Sequence, residues 1–129
     1  MSWIWIEIPV VQAVHDRQLA EHGGAEGVRD SGALESALAR PQNLAAYEEP
    51  DDAALAAAYA FGLARNHPFV DGNKRTAWVT ARLFLAANDA RLEFGREEAI
   101  NMMLALAAGR LSEDGVARWF RDRIASGAD

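Results

Sequence analysis

Cysteine is absent from the 129 residues, which excludes disulfides and thiolate metal sites. No apolar run reaches the roughly 20 residues that a membrane-spanning helix needs. The first residues, MSWIWIEIPVV, lack the positive flank and the small-residue cleavage site of a secretory signal. Together these absences predict a cytoplasmic protein that does not contact a membrane.

Positive charge is scarce as well. The net charge is −6, and a field of that sign repels nucleic acid, so direct nucleic-acid binding is not expected. Residues branched at Cβ are few and alanine is abundant, a composition typical of helices. Half of the residues are hydrophobic, which predicts a folded chain. We expect residues 1–129 to form a single domain with one core.

Proline and glycine indicate the ends of the first helix. Pro9 suits a first helical turn, and the glycines at 23–24 end the helix. Its apolar stripe is predicted to contain Val10, Val14 and Leu19. The following residues are rich in glycine and charge, which is typical of a loop.

Capping and breaking signals also delimit a short second helix. Asp30 or Ser31 is a candidate N-cap, and the helix is predicted to run to Ala39 because Pro41 disfavours its continuation. Residues 42–50 have no clear period and are predicted to be irregular.

Four more helices complete an all-α bundle. They are predicted to span roughly 51–66, 72–87, 96–108 and 113–125. In the first of these, Leu55, Tyr59 and Leu63 recur at the spacing of a buried helical stripe. One small two-stranded β ribbon is a candidate addition, because residues 3–8 alternate with period two and 91–94 are suited to pair with them. The predicted fold class is thus mainly α, a compact helical bundle.

The stretch HPFVDGNKR, residues 67–75, concentrates reactive polarity between two apolar helices. Pro68 disfavours helical geometry at His67, so the imidazole leaves the axis of the preceding helix. Phe69 is suited to anchor the loop in the core. An imidazole held outside both helices is placed for general-base work on an incoming hydroxyl.

The second half of the stretch has the chemistry of an anion site. Asp71, Gly72 and Asn73 open a helix whose first N–H groups favour anions, and glycine lets a ligand approach. Lys74 and Arg75 lie in the positive end of the helix dipole, which costs about 0.3–1 kcal/mol per exposed charge unless an anion binds there. Asp71 is the natural contact for Mg²⁺, which needs few carboxylates when phosphates and waters supply other ligands.

The wider charge pattern also indicates a bound anion. From Arg65 to Arg82 there are four cations, which include the chain's single lysine, and Asp71 is the one acid. The alternative is ordinary turn chemistry: Asp71 caps the helix, Phe69 fills the core, and Lys74 and Arg75 are solvated.

At these residues the sequence resembles the Fic/Doc family. The stretch HPFVDGNKR is similar to the form H-x-F-x-[D/N]-[A/G]-N-K-R of its Doc branch, which provides the toxins of Phd–Doc toxin–antitoxin systems. The flanking stretches HGG…GVRDSGALESALARPQ and LARNHPFVDGNKRTA are also similar, and the resemblance extends from about residue 9 to 123.

The resemblance implies an activity and its cofactors. Fic proteins transfer AMP from ATP to a hydroxyl and have glycine where this chain has Lys74. Doc proteins transfer the γ-phosphate of ATP to a threonine of elongation factor Tu and so arrest translation, with Mg²⁺ as cofactor. An antitoxin of the Phd type, whose disordered C-terminal segment folds into a groove, is the implied inhibitor.

Roles follow from the resemblance position by position. His67 is the implied base, Asp71 the Mg²⁺ contact and Phe69 the loop anchor. The implied catalytic set is His67, Asp71, Lys74 and Arg75, and the implied phosphate-binding set is Arg65, Gly72, Asn73, Lys74 and Arg75. Two alternatives stay open: a Fic-type nucleotidyl transferase and a non-catalytic helical binding module.

Histidine and tryptophan residues elsewhere have a structural interpretation. His15 and His22 are predicted to be exposed, on a helix and at a loop edge. The tryptophans are predicted to be packing residues: Trp3, Trp5, Trp78 and Trp119.

Overall fold

Six helices form the protein in the computed structural model, which describes residues 2–125. In chain order they are α1 (Ile8–His22), α2 (Ser31–Tyr47), α3 (Asp52–Asn66), α4 (Asn73–Ala87), α5 (Arg96–Ala107) and α6 (Glu113–Arg123). The predicted all-α class is confirmed. Across this part of the chain, no helix has the length and apolar character that crossing a bilayer requires.

Helix α3 lies at the centre and contacts α2, α4, α5 and α6. The predicted stripe of Leu55, Tyr59 and Leu63 is buried, and so are the alanines between them. These small side chains let the surrounding helices approach closely. Helices α3 and α2 approach closely at Gly62, where a Cβ would lie 3.2 Å from the backbone oxygen of Ala37.

Helix ends that depend on local signals lie where the sequence predicts them. Helix α1 has Pro9 in its first turn and ends at Gly23, whose φ is 78°. Asp51 caps α3 by accepting a hydrogen bond from the N–H of Ala54.

The four tryptophans are partly buried and pack against the core, as predicted.

The predicted end of α2 at Pro41 is wrong. The helix continues to Tyr47, so the prediction of an irregular segment from residue 42 is also wrong up to that point. An interior proline costs about 3 kcal/mol through a lost hydrogen bond and a steric clash. Here Pro41 is buried on the same face as Leu34, Ala37 and Leu38, and that burial offsets the cost.

The predicted ribbon of residues 3–8 with 91–94 does not form. Residues 91–94 instead meet the end of α6 through an isolated antiparallel bridge between Leu92 and Ile124. The side-chain amide of Asn88 forms two hydrogen bonds with the backbone of Ile4. It accepts from the N–H at 2.8 Å and donates to the carbonyl at 2.9 Å. A side chain thus takes the place of the partner strand.

The predicted stripe of α1 is displaced by one residue. Val10 is exposed, whereas Val11 is buried, and His15 follows it one turn later with only 3% of its surface exposed. The prediction that His15 is exposed is therefore wrong, while His22 is exposed as predicted. Helix α1 packs against α4, so residues of the 11/15 face meet the start of α4.

Asp51 joins α3 to α6, because its carboxylate also accepts hydrogen bonds from Nε and Nη2 of Arg121 at 2.6 and 2.9 Å. The bond from Arg121 lowers the pKa of Asp51. A lowered pKa stabilises the fold above the unfolded-state value of about 3.9, and this stabilisation is lost as pH falls through the folded-state value.

Replacing Asp51 with alanine is expected to lower the free energy of unfolding by about 1 kcal/mol at pH 7, because the N-cap is lost. Asparagine keeps a good cap but loses the charge, so Asp51→Asn is expected to be less stable than wild type by about 0.2–1 kcal/mol at pH 7, a difference that shrinks as pH falls. Urea unfolding between pH 2 and 7 measures both effects. Equal pH dependence in wild type and Asp51→Asn contradicts the assignment.

Candidate active site

The loop between α3 and α4 leaves the first helix through a strained residue. His67 is the C-cap of α3 and has left-handed backbone angles, φ 48° and ψ 56°. Few residues other than glycine adopt this region, and Pro68 disfavours the helical alternative. As a result the chain turns sharply, Pro68 is buried, and the side chain of His67 is exposed to solvent.

Phe69 and Asn73 close the loop from inside. The Phe69 side chain is buried with 1% of its surface exposed. The Asn73 amide binds the backbone of Phe69 on both sides: Oδ1 accepts from its N–H and Nδ2 donates to its carbonyl, each at 2.9 Å. Because these bonds fix the Asn73 side chain against the loop, its backbone N–H remains a donor for an anion.

The start of α4 has exposed hydrogen-bond donors. Its N-cap, Gly72, has a φ of 78° and no side chain to cap the helix. The first helical hydrogen bond runs from Thr76 N–H to the Gly72 carbonyl. Within residues 2–125, the N–H groups of Asn73, Lys74 and Arg75 have no acceptor. Side chains of Asp30, Asp51 and Ser112 cap α2, α3 and α6, whereas α1 and α5, like α4, begin without a side-chain cap.

Asp71 lies between the loop and a glycine-rich segment that follows α1. Its Oδ1 accepts from the N–H of Gly72 at 2.9 Å, and Oδ2 accepts from the N–H of Ala25 at 3.3 Å. At Gly24 a Cβ would lie 2.9 Å from Asp71 Oδ2, so only glycine lets this segment approach the carboxylate. Each carboxylate oxygen keeps lone-pair capacity for a further partner.

A metal at Asp71 would have few protein ligands. Among residues 2–125 there is no group of three or more histidine, aspartate or glutamate side chains arranged to hold a metal. One carboxylate is enough for Mg²⁺ when phosphate oxygens and waters complete its octahedron. The residues therefore fit a magnesium ion that arrives with a nucleotide, and they do not form a closed metal site.

Lys74 and Arg75 line a groove between α1, α4 and α5, which encloses a cavity of about 490 Å³. Two further cations line it, Arg82 and Arg96. The rest of the lining is mainly apolar: Trp78, Val79, Phe94, Ala99, Ile100, Met103 and Leu104. In the described part of the chain none of these four cations forms a salt bridge, whereas five other arginines do.

The other predicted site residues lie outside this groove. Arg65 is exposed near the end of α3, with its guanidinium 5.4 Å from the ring centroid of Phe61. His67, Asp71 and Asn73 belong to the loop at the start of α4. His67, Asp71 and Asn73 thus lie at the start of α4, with Lys74 and Arg75 at the junction between loop and groove. The Arg65 guanidinium instead lies over Phe61 and beside Gly109, just past the end of α5.

His15 is a site residue that the sequence analysis missed. Its ring stacks on Phe69, with centroids 3.8 Å apart and planes 8° from parallel. Its Nε2 lies 2.8 Å from the carbonyl oxygen of Asp71, which can only accept, so Nε2 carries the proton. The spacing of His15 four residues after Val11 was the available signal.

Residues 27–30 are the second feature that was missed. Val28 and Phe69 form an isolated antiparallel bridge. On either side of it, Val70 N–H donates to the Gly27 carbonyl at 3.0 Å, and Arg29 N–H donates to the Pro68 carbonyl at 2.8 Å. No local pattern predicts this pairing, because the two segments lie about forty residues apart in the chain.

Comparison with known proteins places the loop inside a shared region. The chain matches the sequence profile of the Fic/DOC family over residues 5–85. It is 37% identical over 110 residues to the protein kinase doc of Escherichia phage P1, across 84% of this chain and 86% of that protein. It is 43% identical over 101 residues to the toxin Doc of Mycolicibacterium smegmatis, across 74% of this chain and 76% of that protein.

Proposed function

This chain belongs to the Fic/Doc family, as the resemblance of its loop predicted, and from that premise we propose that it is a Doc-type toxin kinase. It transfers the γ-phosphate of ATP to a threonine or serine hydroxyl of a translation factor, elongation factor Tu, and so arrests translation in the cytoplasm. The observation that carries the proposal is the start of α4, where, among residues 2–125, three N–H groups without acceptors adjoin two cations without carboxylate partners.

His67 acts as the base in this mechanism. The hydroxyl oxygen of the target attacks the γ-phosphorus, the bond from that phosphorus to the bridging oxygen breaks, and ADP leaves. The proton of the hydroxyl passes to the imidazole of His67. An exposed ring, held outside both helices by the turn at Pro68, is accessible to a protein substrate.

Phosphate binding falls to the start of α4. Phosphate oxygens would accept hydrogen bonds from the backbone N–H groups of Asn73, Lys74 and Arg75. The side chains of Lys74 and Arg75 add positive charge, and Gly72 has no side chain to block the phosphates. Arg65 is a phosphate-binding residue only by the family resemblance, because its guanidinium lies over Phe61 and beside Gly109. Asp71 is the carboxylate that would hold Mg²⁺, which when bound neutralises charge on the phosphates. Phosphoryl transfer needs mainly such positioning and charge stabilisation.

The groove between α1, α4 and α5 is suited to the inhibitor. An amphipathic helix places apolar side chains on Ile100, Met103 and Leu104 and acidic ones beside Arg82 and Arg96. The C-terminal segment of a Phd-like antitoxin is the partner we assign to it. Because Lys74 and Arg75 line the same groove, an occupant there also competes with the nucleotide phosphates.

Labelled ATP distinguishes the proposed reaction from its rivals. After incubation with elongation factor Tu and Mg²⁺, we expect label from [γ-³²P]ATP on the target and none from [α-³²P]ATP. Label from the α-phosphate instead indicates a nucleotidyl transferase. If neither label is transferred and calorimetry with Mg-ATP gives no heat, the protein is a non-catalytic binding module. Mass spectrometry of the target then identifies the modified residue.

A further inference from the structure

Helix α3 ends in a way that leaves its last carbonyls without the usual backbone partners. A left-handed residue at the end of a helix normally lets the next N–H groups bond back to the last turn. Here the left-handed residue is His67, and the residue after it is Pro68, which has no N–H. The carbonyls at this helix end therefore need a donor from another part of the chain.

Arg29 supplies that donor. Its Nε donates to the carbonyl oxygen of His67 at 2.7 Å, and its Nη2 donates to the carbonyl oxygen of Asn66 at 2.9 Å. The planar guanidinium thus spans two successive carbonyls with two charge-assisted bonds. Its charge is also favourable there, because the C-terminal end of a helix is the negative end of the dipole.

The backbone of Arg29 is itself held in place. The N–H groups of Arg29 and Asp30 both donate to the carbonyl oxygen of Pro68, at 2.8 and 3.1 Å. Asp30 also caps α2 by accepting from the N–H of Ala33 at 3.0 Å. These bonds fix the backbone of residues 29 and 30, and with it the position from which the guanidinium reaches His67. The Arg29 side chain is nevertheless exposed to solvent.

We propose that Arg29 is a positioning residue that holds the backbone of His67, and with it the imidazole, in the orientation that phosphoryl transfer requires. The proposal rests on the proposed function, because it takes His67 as the base. Within residues 2–125 the Arg29 guanidinium donates hydrogen bonds to the carbonyls of Asn66 and His67 and to no group at the start of α4. Its loss is thus expected to affect the catalytic step and not nucleotide binding.

Steady-state kinetics test whether the loss of Arg29 affects kcat and leaves the KM for ATP unchanged. Arg29→Gln is expected to lower kcat about ten- to a hundred-fold, the range expected when a reacting group is misplaced by about 1 Å. The KM for ATP should stay within about twofold, because the phosphate-binding groups are unchanged.

Arg29→Lys keeps the charge but cannot span two carbonyls, so its kcat should lie between those of Arg29→Gln and wild type. Arg91→Gln, which removes an exposed arginine far from the loop, is the matched control.

A second readout does not depend on activity. In wild type and in Arg91→Gln, the NMR order parameter of the His67 N–H should be near the rigid value of about 0.85, and in Arg29→Gln it should fall toward 0.6 or below, about the flexible limit. If wild type transfers no phosphate, the proposed function fails and the order parameter alone decides the role of Arg29. Equal order parameters, or equal kcat values, in the two glutamine variants overturn the proposal. Should Arg29→Gln not fold, Arg29→Lys against Arg91→Lys provides the same comparison.

Discussion

Replacing His67 is expected to lower the rate of phosphate transfer to the target by about a hundred- to ten-thousand-fold, the usual contribution of a general base. Alanine removes the imidazole, but it is strained at the left-handed backbone angles of this position. Asparagine tolerates these angles, so His67→Asn separates loss of the base from distortion of the loop. Initial rates with [γ-³²P]ATP measure the effect for both variants.

Stability and nucleotide binding are the controls for His67. The side chain is exposed and makes no hydrogen bond to residues 2–125, so the midpoint of thermal unfolding should change little in His67→Asn. Calorimetric affinity for Mg-ATP should also persist, because the groups at the start of α4 are intact. Full transfer activity in both His67 variants removes the imidazole from the mechanism.

Replacing Lys74 with glycine is expected to have the second large effect. The side chain lies in the first turn of α4, lines the groove and has no carboxylate partner in the described chain. Removal of a donor that stabilises developing charge typically costs about a hundred- to a thousand-fold in rate. We therefore expect transfer of the γ-label to fall by roughly that factor. In the Fic branch a glycine stands here, so transfer of the α-label should become detectable.

A glutamine variant separates the two properties of Lys74. Lys74→Gln removes the charge but fills about the same space, so it should lose γ-transfer without gaining α-transfer. If Lys74→Gly and Lys74→Gln behave alike, space at this position does not select the nucleotide orientation. Unchanged γ-transfer in both variants shows that the lysine does not contact the phosphates.

The helix ends that are set by residues adjacent in the sequence were predictable. Pro9, Asp51 and the pair of His67 and Pro68 mark helix ends through their own backbone chemistry, and the structure places the ends there. Pro41 carries an equally local signal, yet it lies inside α2. Burial against the central helix is a tertiary effect, and it outweighs the local preference.

The same distinction applies to the site. Residues 67–75 form one continuous stretch, so their combination was visible in the sequence. The contacts that support the loop come from residues far away in the chain, such as His15 and Arg29. Such pairings depend on how α1 and the segment before α2 pack, and no turn signal encodes that packing. Helical spacing indicates that His15 shares a face with Val11, but it does not identify the partner of that face. Residue type alone made His15 look exposed, whereas its position on the helix decides its burial.

The location of the nucleotide tests the central claim most directly. A crystal structure with Mg²⁺ and a non-hydrolysable ATP analogue is expected to place phosphate oxygens within hydrogen-bond distance of the N–H groups of Asn73, Lys74 and Arg75. The His67 ring should then face the γ-phosphate across the space that a hydroxyl occupies. A nucleotide bound elsewhere, or an imidazole turned away from the terminal phosphate, contradicts the account.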